Sequence, residues 1–170
     1  MIIAISGSVG VGKTTIAQLL AQKLNVKCIE LNKVARDFKI EKNSKLQTFD
    51  FDVRKCLDYI EKTYTNDYIL EGHFAHLLQP EFVDILVIIN RDISQLHYEY
   101  IQRGYNEQKI KDNLEVETLN VCFYEAEEEG FDEEQLIVID NTSNDDDIDL
   151  DDIVDDVYRK VNKKLHKLQK

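Results

Sequence analysis

Gly7-Ser8-Val9-Gly10-Val11-Gly12-Lys13-Thr14 puts three of the chain's six glycines within six positions, and a lysine and two hydroxyls (Thr14, Thr15) follow at once. Glycine loses more backbone entropy on ordering than any other residue, so so tight a cluster needs a use. Without Cβ clashes, successive amides can turn inward around a phosphate. The segment fits GxxxxGK[ST], the pattern of a phosphate-binding loop when it lies between a strand and a helix. In that chemistry Lys13 reaches the β- and γ-phosphates of a nucleoside triphosphate, and the Thr14 hydroxyl holds Mg²⁺. The positive end of the following helix adds its partial charge.

The flanking elements supply that context. "IIAIS" at 2–6 is a short apolar run ending at glycine, as a fully buried parallel strand would be. Ile16, Leu19, Leu20 and Leu24 then recur at helical spacing. Further strands are expected at "VKCIEL" (26–31), "DYILEG" (67–72), "DILVIIN" (84–90) and "QLIVID" (135–140). A small helix is expected around 34–38, a polar and weakly patterned stretch over 39–49, and a helix from Val53 through Ile60. A helical zone runs from Ile93 to Glu129 with one break at "QRGYNEQK". An amphipathic helix carrying Ile148, Ile153, Val154, Val157, Val161, Leu165 and Leu168 closes the chain. Strands alternating with helices at this pace predict an α/β domain with a parallel sheet.

Composition bounds the partners. A chain of 170 residues is expected to form one domain. Its apolar runs fall well short of the ~20 residues that cross a bilayer, and the N-terminus reads as a strand rather than a secretory signal. The net charge of −12 argues against general nucleic-acid binding, and so against direct DNA binding, but leaves phosphate-binding enzymes open. Cys28, Cys56 and Cys122 are unpaired in spacing and read as buried, reduced thiols of a cytosolic protein. The acidic run "NDDDIDLDDIVDD" and the basic residues from Arg159 to Lys170 read as the two ends of a solvated last helix, arranged as its dipole favours.

The kind of nucleotide chemistry is narrowed by what accompanies the loop. No guanine-reading NKxD or DxxG switch occurs, which sets aside GTPases. Only five of the 21 basic residues are arginines, and three of them fall at sheet ends or loops: Arg36 after the second strand, Arg91 after the fourth, Arg103 in the "RGY" break. Doubly wound sheets bind ligands at that side, and the guanidinium fork suits phosphoryl oxygens. A small kinase passing a γ-phosphoryl group to a small acceptor fits best.

"GSVGVGKTT", "EGHFAHLL" and above all "RGYNEQKIKDN" followed by "YEAEEE" resemble the adenylate kinase 6/Fap7 family of nucleoside monophosphate kinases over nearly the whole chain. The resemblance implies a P-loop NTPase three-layer sandwich, with a five-stranded parallel sheet flanked by helices, a monophosphate-binding segment and a short lid. It implies that Gly10, Gly12, Lys13, Thr14 and Thr15 bind ATP phosphates, and that Arg36, within a monophosphate-binding segment of about 30–50, meets the acceptor. Residues 102–112 would form the lid, with Arg103 on ATP, and Arg91 would join Lys13, Arg36 and Arg103 on the transferred group. Glu71, where many members carry aspartate, would orient a Mg²⁺-bound water, and His73 falls on the family's histidine at the acceptor side. His76 is open between facing the acceptor and lying on a helix surface. Asn32-Lys33 replaces the familiar Gly-Asp before the arginine. Asp140, Asn141 and Thr142 follow the last strand, where adenine commonly rests on backbone.

The implied reaction is Mg²⁺-dependent transfer from ATP to AMP or a related monophosphate, in the cytoplasm, or in the nucleus of a eukaryote. The same family is tied to maturation of the small ribosomal subunit through ribosomal protein uS11, with ATP hydrolysis. A shikimate- or dephospho-CoA-type kinase is a third option on this scaffold.

Overall fold

The computed structural model describes residues 1–43, 48–142 and 150–168. Its main sheet has five parallel strands: β1 (Ile2–Ser6), β2 (Lys27–Glu30), β5 (Tyr68–Glu71), β6 (Ile85–Asn90) and β7 (Leu136–Asp140), in the order β2-β5-β1-β6-β7. β1 is central because every one of its side chains is buried, and its neighbours are in register, Ile3 opposite Ile69 on one side and Ile85 on the other. The continuous apolar runs are what a sheet covered on both faces requires.

Alternation along the strands divides the core in two. Ile3, Ile5, Val87 and Ile89 face helix α1 (Lys13–Leu24), through Ile16, Ala17 and Leu20, and helix α7 (Leu150–Leu168), through Val154, Val157 and Val161. Ile2, Ala4, Leu86 and Ile88 face the opposite layer, with Cys56 and Ile60 of α3 (Val53–Thr63) and Cys122 and Ala126 of α6 (Val121–Glu129). The result is the expected three-layer α/β sandwich.

The described residues of the stretch over 39–49 are more regular than its weak pattern implies. After α2 (Leu31–Val34) and a 3-10 turn (Ala35–Phe38), β3 (Lys39–Asn43) pairs antiparallel with β4 (Thr48–Phe51) in a separate two-stranded sheet. The helical zone breaks twice. α4 (Ile93–Gln102) ends at the 103–106 turn, as expected, and α5 (Glu107–Thr118) then parts from α6 at Asn120, whose φ is 49°. Residues 143–149, which hold Ile148 and the start of the acidic run, and residues 169–170, with Lys170, lie outside the described residues. α7 itself begins with Asp151 and Asp152 in its first turn and has Lys167 in its last.

Candidate nucleotide-binding site

The site forms where the strands end. Ser6, Glu71 and Asn90 end β1, β5 and β6 on the same side of the sheet, the side at which open parallel sheets take ligands. The chain leaves β1 through Gly7, whose φ is 139° and whose hypothetical Cβ would lie 2.2 Å from the Ile89 carbonyl oxygen. No side chain fits there.

From Ser8 to Gly12 every backbone carbonyl is held from outside the loop or by the helix that follows. Ser8 O accepts from Lys13 Nζ at 2.6 Å, Val9 O from the Tyr100 hydroxyl at 2.5 Å and Gly10 O from Arg91 Nη1 at 3.1 Å. Val11 O accepts from Asn141 Nδ2 at 2.8 Å, and Gly12 O from the Ile16 amide at 3.1 Å. Burial pushes the Tyr100 hydroxyl's pKa up, so it remains a donor. Among the described residues no amide from Ser8 to Thr15 is donated to a protein acceptor. Residues 8–13 are buried or half-buried, where amides are nearly always paired, so their free amides, continued by the open first turn of α1, form a cradle for an anion.

That cradle opens on a cavity of about 220 Å³ lined by Val9, Gly10, Gly12, Lys13, Thr14, Thr15, Asn32, Glu71, His73 and Arg103. The volume lies below the range of a whole small-molecule site, roughly 300–1,000 Å³, and suits a phosphate tail. Lys13 is 7% exposed, and burial lowers its pKa to about 8 against the opposing pull of Glu71. Glu71 is 2% exposed. Burial raises its pKa, and Lys13 and the Thr14 hydroxyl oppose the rise. Thr14 Oγ1 donates to Glu71 Oε1 at 3.3 Å. A hydroxyl and a carboxylate converging on the phosphate cradle are hard oxygen donors of the kind Mg²⁺ takes when substrate phosphates and waters complete its shell, so these residues fit that ion.

Gly10, Gly12, Lys13, Thr14, Thr15, Glu71, His73 and Arg103, all singled out in the sequence, thus meet at one cavity. The His73 ring is exposed at the mouth. Crowding on its inner side and the Lys13 charge lower its pKa to about 4, leaving it neutral at pH 7. Arg103 reaches the cavity while its Nε donates to Glu99 at 2.8 Å.

Arg91 and Arg36 stand outside that lining. Arg91 braces the loop through Gly10 and donates from Nε to Gln95 at 3.1 Å. Arg36 is exposed in the 3-10 turn that leads to the hairpin. His76 is neither in the cavity nor on a helix surface: it is buried, with Nδ1 2.6 Å from Ser6 Oγ and Nε2 2.8 Å from Glu125. Asn141 serves the loop rather than an open cleft, and Thr142 Oγ1 accepts from the Asp92 amide at 2.9 Å. Of the three free thiols, Cys56 and Cys122 are buried as expected, whereas Cys28 is half-buried on the edge strand. Among the described residues no helix is long and apolar enough to cross a membrane.

Sequence reasoning missed Asn32 as a lining residue, and it missed Tyr100 and Glu117. The Glu117 carboxylate accepts from the Ser8 hydroxyl and, at 2.7 Å, from the Arg91 amide. Nothing in the sequence sets Glu117 apart from Glu107 and Glu115 on the same helix; only its burial in the fold does.

Comparison with known proteins agrees with this geometry. A family model described as an AAA domain matches residues 3–120. "Putative adenylate kinase" of Methanocaldococcus jannaschii is 31% identical over 168 residues, covering 96% of this chain and 90% of its own. The protein of the same name from Pyrococcus furiosus is 36% identical, covering 84% and 76%. "Adenylate kinase isoenzyme 6 homolog" of Schizosaccharomyces pombe is 33% identical, covering 74% of each. Among solved structures, shikimate kinase from Bacteroides thetaiotaomicron superposes with a TM-score of 0.64 at 17% identity, covering 95% and 98%. A gluconokinase from Sinorhizobium meliloti does so at 0.55 and 13%, covering 98% and 91%. At such identities the two structures speak for the fold alone.

Proposed function

The chain belongs to the P-loop family whose archaeal members are named "Putative adenylate kinase", and from that premise we propose that it transfers the γ-phosphoryl group of ATP to AMP or a closely related nucleoside monophosphate. The observation that carries this reading is the run of unpaired amides from Ser8 to Thr15 beside Lys13, with every outward carbonyl from Ser8 to Gly12 already held.

In this reading the amides and Lys13 grip the donor phosphates, Thr14 would hold Mg²⁺ with Glu71 orienting a water on it, and Arg103 comes from a lid over 102–112. Arg36, in a monophosphate-binding segment of about 30–50, part of which (44–47) lies outside the described residues, approaches the acceptor, with His73 and Asn32 at the cavity mouth between the two. Mg²⁺ held by these residues would supply positive charge against the donor phosphates. The acceptor phosphate is already an anion, so the chain needs no general base. Its residues align the two substrates and neutralise the charge that develops. Arg91 contributes through the loop it braces. Closure of the lid keeps water from the transferred group. The single domain of residues 1–170 supplies all of these parts.

Incubation with ATP, Mg²⁺ and a panel of monophosphates tests the proposal. The expected outcome is two diphosphates formed from ATP and AMP, lost in Lys13→Ala. No diphosphate from any monophosphate would overturn it. A second reading, ATP hydrolysis coupled to ribosomal protein uS11 and the small subunit, draws on the net charge of −12, which suits a basic partner. Turnover stimulated by uS11 and not by AMP would favour it.

A further inference from the structure

Glu117 lies in the last turn of α5 and is 8% exposed, while its neighbours Glu115 and Thr118 face solvent. Both of its oxygens are used. Oε2 accepts the Ser8 hydroxyl, and Oε1 accepts the Arg91 amide at 2.7 Å. Ser8 is the second residue of the phosphate loop, and its carbonyl holds the Lys13 ammonium at 2.6 Å. The Arg91 side chain meets the same loop at Gly10 O, 3.1 Å away. One buried carboxylate therefore joins the far end of α5 to the loop and to the strand end that braces it. At the near end of α5 is the 103–106 turn that carries Arg103.

A buried carboxylate is tolerated only while its hydrogen bonds are made. Among the described residues Glu117 has no salt bridge, so the two donors, helped at longer range by the Lys13 charge, are what stabilise it there. Any nucleotide-driven shift of Ser8 then either carries α5 along or leaves the charge short of a donor. We propose that Glu117 is a positioning residue that transmits the state of the phosphate loop to α5, and through α5 to the placement of Arg103. This rests on the loop binding nucleotide, as proposed above. Plain helix packing would place an apolar residue at this point and leave α5 indifferent to what the loop holds.

Hydrogen–deuterium exchange of the full chain, with and without Mg²⁺ and a non-hydrolysable ATP analogue, separates the two. In the unsubstituted protein the analogue slows exchange in residues 8–15, and in 107–118 by about tenfold. In Ser8→Ala and Glu117→Gln the loop keeps its protection, while the effect on 107–118 falls below about twofold. In steady state the same variants lower kcat by a larger factor than they raise the KM for ATP, because Lys13 and the loop amides still hold the donor while Arg103 is misplaced for the transfer. Protection of 107–118 that persists in both variants would overturn the proposal, as would a KM that rises while kcat holds. A loop left unprotected in the unsubstituted protein would refute nucleotide binding itself, and the coupling with it. Should Glu117→Gln fail to fold, Ser8→Ala, which removes one hydroxyl, decides alone.

Discussion

Lys13 and Glu71 are both shifted against their own charges, Lys13 downward to about 8 and Glu71 upward, each mainly by burial. Opposed shifts at one cavity are the pattern that ligand sites show, and they support the proposed one. At pH 7 the burial of the Lys13 charge costs about 3 kcal/mol, by its shift from 10.5 to about 8. Lys13→Met removes that cost and gives back about 1 kcal/mol for the lost bond to Ser8 O. Calorimetry of the nucleotide-free variant should therefore show a Tm about 4–8 °C higher at pH 7, while turnover vanishes. The sign with pH follows from linkage. The folded pKa lies below the unfolded one, so between about pH 8 and 10.5 the unfolded chain holds more protons and the unsubstituted protein gains stability as pH rises. The variant's advantage shrinks over that window, and an advantage independent of pH would mean that Lys13 is not buried as a cation. The residues of this loop were legible because Gly7 to Thr14 is one contiguous run. Its supports were not: Ser8 meets Glu117 across 109 positions, Val11 meets Asn141 across 130 and Gly10 meets Arg91 across 81. Arg91 read as a ligand residue for the same reason, since its place at a strand end was visible and its partner carbonyl was not.

Glycine does different work in two of the connections between elements, and substitution distinguishes them. At the turn from β1 into the loop, Gly7→Ala drives a Cβ to 2.2 Å from the Ile89 backbone, and urea unfolding should show a loss above about 3 kcal/mol. At the α4–α5 break, Gly104 has φ 67° with nothing within 4 Å of a hypothetical Cβ, so Gly104→Ala should cost only the left-handed strain, about 1 kcal/mol. Equal losses would show that sterics do not set the first. That break was readable because glycine ends helices in this conformation. The second break was not, because Asn120 carries the left-handed turn without glycine or proline nearby, a role asparagine tolerates and sequence rarely signals. The β3–β4 hairpin escaped notice for a related reason. Among the described residues it forms a separate two-stranded sheet, and "KIEKN" holds one apolar residue where β1 and β6 read as nearly continuous apolar runs.

Across the whole molecule, 33 acidic residues oppose 21 basic ones, yet the cavity presents Lys13, Arg103 and the loop amides. Net and local fields therefore have opposite signs, and salt should act on them in opposite directions. Self-repulsion of the folded chain reaches across the surface and is screened over about 10 Å at 0.1 M salt. The exposed ion pairs that salt also weakens, such as Lys55–Asp52 and Lys160–Asp156, contribute only about 0–1 kcal/mol each. Raising NaCl from 0.05 to 0.5 M should thus increase the Tm of the nucleotide-free protein. The same change should weaken ATP binding, because a polyanion is drawn in by the cations at the cavity and its approach is screened. Tm and the Kd for ATP, followed across one salt series, test both at once. Affinity that improved with salt would show that the overall negative charge, rather than the cluster around Lys13, governs the encounter. It would also make the dense acidic surface a barrier to the nucleotide rather than a background to its site.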